Sequence, residues 1–114
     1  MFNTNLAELT YDSGWINIDL TNGYNSTGLN AVRKIGNEIY FSFFTSKLTV
    51  TLDVYEVAGT IPVGYRPTTK IPLAITVNGV AKCDGYISTD GKINIWSDTQ
   101  TSAWRDAFIV YPAK

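Results

Sequence analysis

The sequence predicts an all-β domain: an antiparallel β-sandwich or a Greek-key or jelly-roll-like barrel of about eight short strands. Three observations carry this. Thr, Ile and Val fill 33 of the 114 positions while charged residues make up 17%, as suits pleated, half-buried surfaces. Apolar residues alternate with period two over several short stretches, and no 3.6-residue period occurs. Turn pairs such as Asn22-Gly23, Asn78-Gly79 and Asp90-Gly91 punctuate those stretches and suit tight reversals. The length fits one domain, with residues 1–13 as an N-terminal arm or linker stub and 14–114 as a single β head.

Within the head, "WINIDL" places Ile16, Ile18 and Leu20 on one face and Trp15, Asn17 and Asp19 on the other, which makes it the first strand. "LNAVRKI" is a weaker strand, separated by Gly36-Asn37 from "EIYFSFFT". In the latter Ile39, Phe41 and Phe43 alternate with Tyr40, Ser42 and Phe44, so both faces are apolar. Such a strand is central to two packed layers or touches another subunit. "KLTVTLDVYE" predicts one strand with Leu48, Val50, Leu52 and Val54 inward and Thr49, Thr51, Asp53 and Tyr55 outward. "LAITV", "AKCDGYIS", "KINIW" and "WRDAFIVY" supply the remaining strands. Asn25-Ser26-Thr27 matches a glycosylation sequon, but turn chemistry is the simpler role.

Three of the four prolines fall in "TIPVGYRPTTKIPLAITVNG". Pro62, Pro67 and Pro72 fix φ and remove donors, so this segment is expected to leave the sheet and cross its rim as a corner. Gly64 is expected at positive φ in a turn set up by Pro62.

Several function classes lose their chemistry at once. A net charge of −1 without a basic block gives nucleic acid or an anionic membrane no patch to hold. No apolar run is long enough to cross a membrane, and the first residues lack the pattern of a signal peptide. With one cysteine and no histidine, an intrachain disulfide, the usual zinc sites and Ser-His-Asp or Cys-His catalysis are closed. Cys83 is read as a small buried apolar side chain, and no cofactor is expected. Carboxylate-only glycoside hydrolysis needs a pair about 5 to 9.5 Å apart. No spacing marks such a pair, and Asp84 and Asp90 read as turn residues, so the chain is expected not to be an enzyme.

Taken in order, "SGWINIDLTNGY", "AVRKIGNEIYFSFFT", "AGTIPVGYRPTTKIPLAITVNG" and "YISTDGKINIW" resemble the C-terminal receptor-binding head domains of tail-fibre and baseplate proteins from tailed phages of Gram-positive bacteria. The most specific part is the "PVGYRP" corner followed by a strand and "TDGKINIW"; the last stretch, from Ser97, matches only in general character. The resemblance implies a compact β head, homotrimeric, located at the tail tip or baseplate of the virion and joined through its N-terminal side to other tail proteins. It implies adhesion to host cell-wall saccharide, teichoic acid or surface polysaccharide, without catalysis. A structural trimerising cap without receptor contact and a polysaccharide-degrading enzyme are the alternatives.

A saccharide site needs an aromatic face for the sugar's C–H surface and polar groups for its hydroxyls. Trp96, Asp98, Trp104, Arg105 and Asp106 offer that combination within 11 residues. The competing expectation packs both tryptophans in the core or a subunit interface, with Arg105 and Asp106 as solvated edge charges. Trp15 reads as a packing residue. Arg33, Lys34 and Arg66 are candidates for a phosphate-bearing glycan or surface and structural charges beside turns. Tyr24, in the loop from Asn22 to Asn30, marks the next place for a ligand.

Overall fold

The computed structural model describes residues 11–47, 53–78, 80–96 and 103–113, with the side chains of 80–83 and 103 outside that description. The described residues contain no helix. Their strands are β1 (Ile16–Asn17), β2 (Asp19–Leu20), β3 (Asn25–Ser26), β4 (Ala31–Ile35), β5 (Glu38–Lys47), β6 (Tyr55–Thr60), β7 (Ile71–Val77), β8 (Val80–Ile87), β9 (Lys92–Trp96) and β10 (Ala103–Pro112). All pairings are antiparallel, in the order β1-β4-β5-β10-β7-β8-β9-β6-β2, with β3 laid against β5.

One extended run closes this sheet. "WINIDL" is expected as a single strand, but it pairs in two directions: Ile16 and Asn17 with Val32 and Ala31, then Asp19 and Leu20 with Thr60 and Gly59. Ile18 separates the two pieces, is 6% exposed and donates its N–H to the Asn30 carbonyl at 3.0 Å. The two ends of the strand order therefore meet, and the sheet is nearly closed into a barrel. Closure satisfies strand edges that would otherwise stand open.

The interior follows from the two-residue side-chain period. Phe41 and Phe43 of β5 stack with centroids 6.1 Å apart. They lie in one buried cluster with Val32, Leu73, Ile75, Ile87, Ile93 and Ile95. At one end Tyr24 is buried. Its hydroxyl donates to Glu56 Oε1 at 3.0 Å, Lys47 Nζ lies 2.8 Å from Glu56 Oε2, and that ammonium sits 4.9 Å from the Tyr24 ring centroid. Tyr24 is thus part of an internal polar plug, and the expectation of a ligand contact on its loop does not hold for its ring.

The proline-rich corner forms as expected: no strand includes residues 61–70, and β7 begins at Ile71. Gly64 has φ 96°, with Tyr65 N–H donating to the Pro62 carbonyl at 3.2 Å. Pro72 differs from the expectation, because it lies inside β7 opposite Tyr86. There β7 pairs with β8 alone, since β10 meets β7 only at Thr76 and Val77. A missing N–H is tolerated on a half-paired strand.

Other boundaries also move. Asp53 (φ 58°) and exposed Val54 form a turn and bend before β6, so the single strand expected over 47–56 does not form there, and Val54 does not point inward. Leu48 to Leu52 lie outside the described residues. The head begins before Gly14: Asp12 bridges Ile35, Gly36 N–H donates to the Tyr11 carbonyl at 2.8 Å, and Arg33 forms a two-pronged ion pair with Asp12. Asn25 and Ser26 of the sequon pair with Ser46 and Thr45.

Candidate functional site

The outward face of β6, β8 and β9 carries a cluster of aromatic side chains. Ile93 and Ile95 take the interior of β9, so Trp96 points out, as its phase requires. The ladders place Tyr55 opposite Trp96 on one side and Asp84 opposite it on the other. Tyr86, two residues beyond Asp84, faces the same way. Tyr55 meets both neighbours edge to face, with centroids 5.2 Å from Trp96 and 4.9 Å from Tyr86, a geometry suited to aromatic quadrupoles. The outward Asn94, though only 9% exposed, donates to the Lys92 carbonyl at 3.0 Å.

Polar groups border this platform unevenly. Asp84 is exposed and lies within β8, between Ala74 and Trp96, so it is a strand residue and not the expected turn residue. Lys70, at the foot of β7, holds its ammonium 4.0 Å from the Tyr86 centroid, well within cation–π range. Asp90 does serve its turn: it accepts from the Ser88 hydroxyl and from the Lys92 N–H, and these bonds hold its carboxyl below the ordinary Asp value.

Three of the other proposed sugar contacts do not gather around Trp96. Trp104, Arg105 and Asp106 lie on β10, separated from β9 by β7 and β8. Three strand spacings amount to about 14 Å along a flat sheet. Arg105 is 0% exposed on the interior face, with its carbonyl accepting from Thr45 Oγ1 at 3.1 Å. It is neither a surface sugar contact nor a solvated edge charge. Asp106 faces outward and is half-buried, and desolvation raises its pKa. Asp98 lies outside the described residues, as does the side chain of Cys83.

Trp104 belongs to a second outward face, formed by β10 and β5. It is 63% exposed, in phase with Phe108 at 56% and Val110 at 43%. Phe108 and Val110 stand opposite Ser42 and Tyr40. Phe44 is partly covered by its own chain, since a Cβ on Gly28 would meet the Phe44 Cβ at 3.0 Å. The two faces are separate on the barrel, with β7 between them one way and β4 and the closing run the other.

Two of the phosphate candidates, Arg33 and Arg66, are committed elsewhere. Arg33 pairs with Asp12 and lies 5.7 Å from the Trp15 ring centroid, so Trp15 is a half-exposed packing partner. Arg66 Nε donates to the Ile61 carbonyl at 2.8 Å and braces the corner. A separate cavity of about 280 Å3 lies between the closing run and the following loop, lined by Asn17, Ile18, Leu20, Ser26, Leu29 and Asn30. The Asn30 amide there is engaged with Ser26 Oγ and the carbonyls of Gly28 and Phe44. Among the described residues no group of His, Cys, Asp and Glu is placed to hold a metal.

Sequence reasoning selected Trp96 but missed Tyr55, Tyr86, Asp84 and Lys70. The signal for Asp84 and Tyr86 was present in the two-residue phase of β8, and Tyr55 was already expected to face outward; what was lacking was the pairing that makes Tyr55 a neighbour of Trp96. The sequence matches no protein-family model, and no curated protein matches it.

Proposed function

We propose that this chain is the receptor-binding head of a tail-fibre or baseplate protein from a tailed phage of Gram-positive bacteria, holding host cell-wall saccharide without chemistry. The observation that carries the reading is the outward platform of Tyr55, Tyr86 and Trp96 with Asp84 beside it. Aromatic faces of this kind take the apolar face of a sugar ring, and a bordering carboxylate accepts from its hydroxyls. The sequence resemblance supplies the biological setting. Shallow sugar contacts imply affinities of about −4 to −8 kcal/mol per site, made effective by linked copies. Assembly as a homotrimer supplies those copies, with the β5–β10 face as its contact surface.

Binding of the domain to a glycan array and to wall fragments from candidate hosts tests this reading, with Trp96→Ala as the paired variant. Wild type binds, and the variant, folded and in the same oligomeric state, loses at least about tenfold, equivalent to about 1.4 kcal/mol. The rival reading is a structural cap, favoured by the exposed Trp104, Phe108 and Val110. It predicts a stable oligomer that binds no glycan. Release of reducing ends from wall polysaccharide would support the third reading, an enzyme.

A further inference from the structure

We infer that the Tyr55–Tyr86–Trp96 platform recognises a protonated amine on its glycan, the ammonium of an unacetylated 2-amino sugar, and that Lys70 occupies this cation position in the free protein. The inference rests on the saccharide reading and specifies the ligand class for the same site. Its first support is direct: an ammonium already sits on the platform, with Lys70 Nζ 4.0 Å from the Tyr86 centroid. The negative face of the ring attracts a cation whether it is tethered or free.

The second support is the distribution of polar groups. Asp84 lies exposed at the strand position opposite Trp96, which puts its carboxylate within side-chain reach of the indole. Directly opposed antiparallel residues have Cβ atoms about 5 Å apart, so one ammonium can approach ring and carboxylate together. The Asn94 amide donates to the Lys92 carbonyl and is 9% exposed, so little of it is offered to a ligand hydroxyl. An aromatic surface bordered by an acid is the chemistry of cation recognition. Lys70 belongs to an exposed stretch ahead of β7 and has a flexible stem, so a ligand amine can displace it.

The experiment compares a tetrasaccharide of 2-amino-2-deoxyglucose with its fully N-acetylated counterpart at about pH 6, below the ordinary range of an amino group. Binding is followed through the Trp96 indole N–H resonance, assigned with Trp96→Phe. The free-amine sugar is expected to bind about fivefold more tightly or better, and Asp84→Asn to abolish the difference. Lys70→Ala is expected to tighten the free-amine sugar by about two- to fivefold, in line with an exposed cation–π contact. These exposed substitutions are checked for an unchanged spectrum elsewhere.

Equal or tighter binding of the acetylated sugar at Trp96 overturns the ammonium inference and leaves the saccharide reading standing. Weaker amine binding by Lys70→Ala also overturns it, because Lys70 would then be a ligand contact. If host wall fragments bind while neither tetrasaccharide moves Trp96, the inference falls alone. If neither the tetrasaccharides nor any wall fragment binds, the saccharide reading falls with it.

Discussion

Gly91 shows how a turn residue can be fixed by its surroundings as well as by its φ. Its φ is 86°, and a Cβ there would lie 2.6 Å from Arg66 Nε and 2.7 Å from the Ile61 carbonyl oxygen. Both atoms belong to the corner, and the Ile61 N–H donates to the Gly91 carbonyl at 2.8 Å. Gly91→Ala is expected to cost about 2–4 kcal/mol in denaturant unfolding, from backbone strain plus displacement of packed atoms. Gly64 is a control: its φ is 96°, but a Cβ there meets nothing within 4 Å. Gly64→Ala should therefore cost only about 1–2 kcal/mol.

Three carboxylates at the same scale respond to pH in opposite senses. The Arg33 guanidinium, helped by the Gly14 N–H, holds Asp12 down from 3.8 to about 2, and Asp90 is also lowered by its turn hydrogen bonds. A lowered folded pKa gives a contribution that is complete above the unfolded value and lost as pH falls through the folded one. Thermal unfolding should show an Asp12-dependent decline between about pH 4 and 2 that Asp12→Asn removes. Asp106 is raised by desolvation, so its ionisation in the folded state disfavours folding as pH rises. Asp106→Asn should raise the melting temperature at neutral pH and have little effect in acid.

At the scale of elements, the corner is held as well as turned. Pro67 is fully buried, Arg66 reaches back to Ile61, and the Tyr111 hydroxyl of β10 donates to the Tyr65 carbonyl at 2.5 Å. Burial raises the Tyr111 phenol above its ordinary value, so it remains a donor throughout the physiological range. Tyr111→Phe leaves that carbonyl without this donor and should cost about 1–2 kcal/mol by thermal unfolding. The platform on the outward faces of β6, β8 and β9 should retain its sugar affinity. A loss of binding matching the loss in Trp96→Ala would move the site toward the corner.

For the whole molecule, the decisive feature is two separate aromatic faces on one nearly closed barrel, with β7 between them. One combines ring faces with an exposed carboxylate and an ammonium; the other presents Trp104, Phe108 and Val110 in a row. An exposed apolar face of the second kind, interrupted by Asp106 between Trp104 and Phe108, fits the association surface proposed for it. Light scattering at micromolar concentration should show a trimer, and the double variant Trp104→Ser/Phe108→Ser a monomer, because each chain contributes the same patch. A wild-type monomer would remove both the proposed assembly and its avidity.

What the sequence determined by itself is local. Period-two alternation marked Ile39, Phe41 and Phe43 as a core face and turned Trp96 away from Ile93 and Ile95; proline stereochemistry marked the corner and the positive φ of Gly64. These properties depend on residues close together in the chain. Tertiary structure decided which strands became neighbours. It placed β10 between β5 and β7, split "WINIDL" across the two ends of the barrel, and brought Tyr55 from a distant segment to Trp96. It also separated Trp96 from Trp104 and turned Arg105 into the interior, although all three belong to one short stretch of sequence. Alternation determines that neighbouring residues take opposite faces, but which face is inside depends on the long-range pairing that closes the sheet.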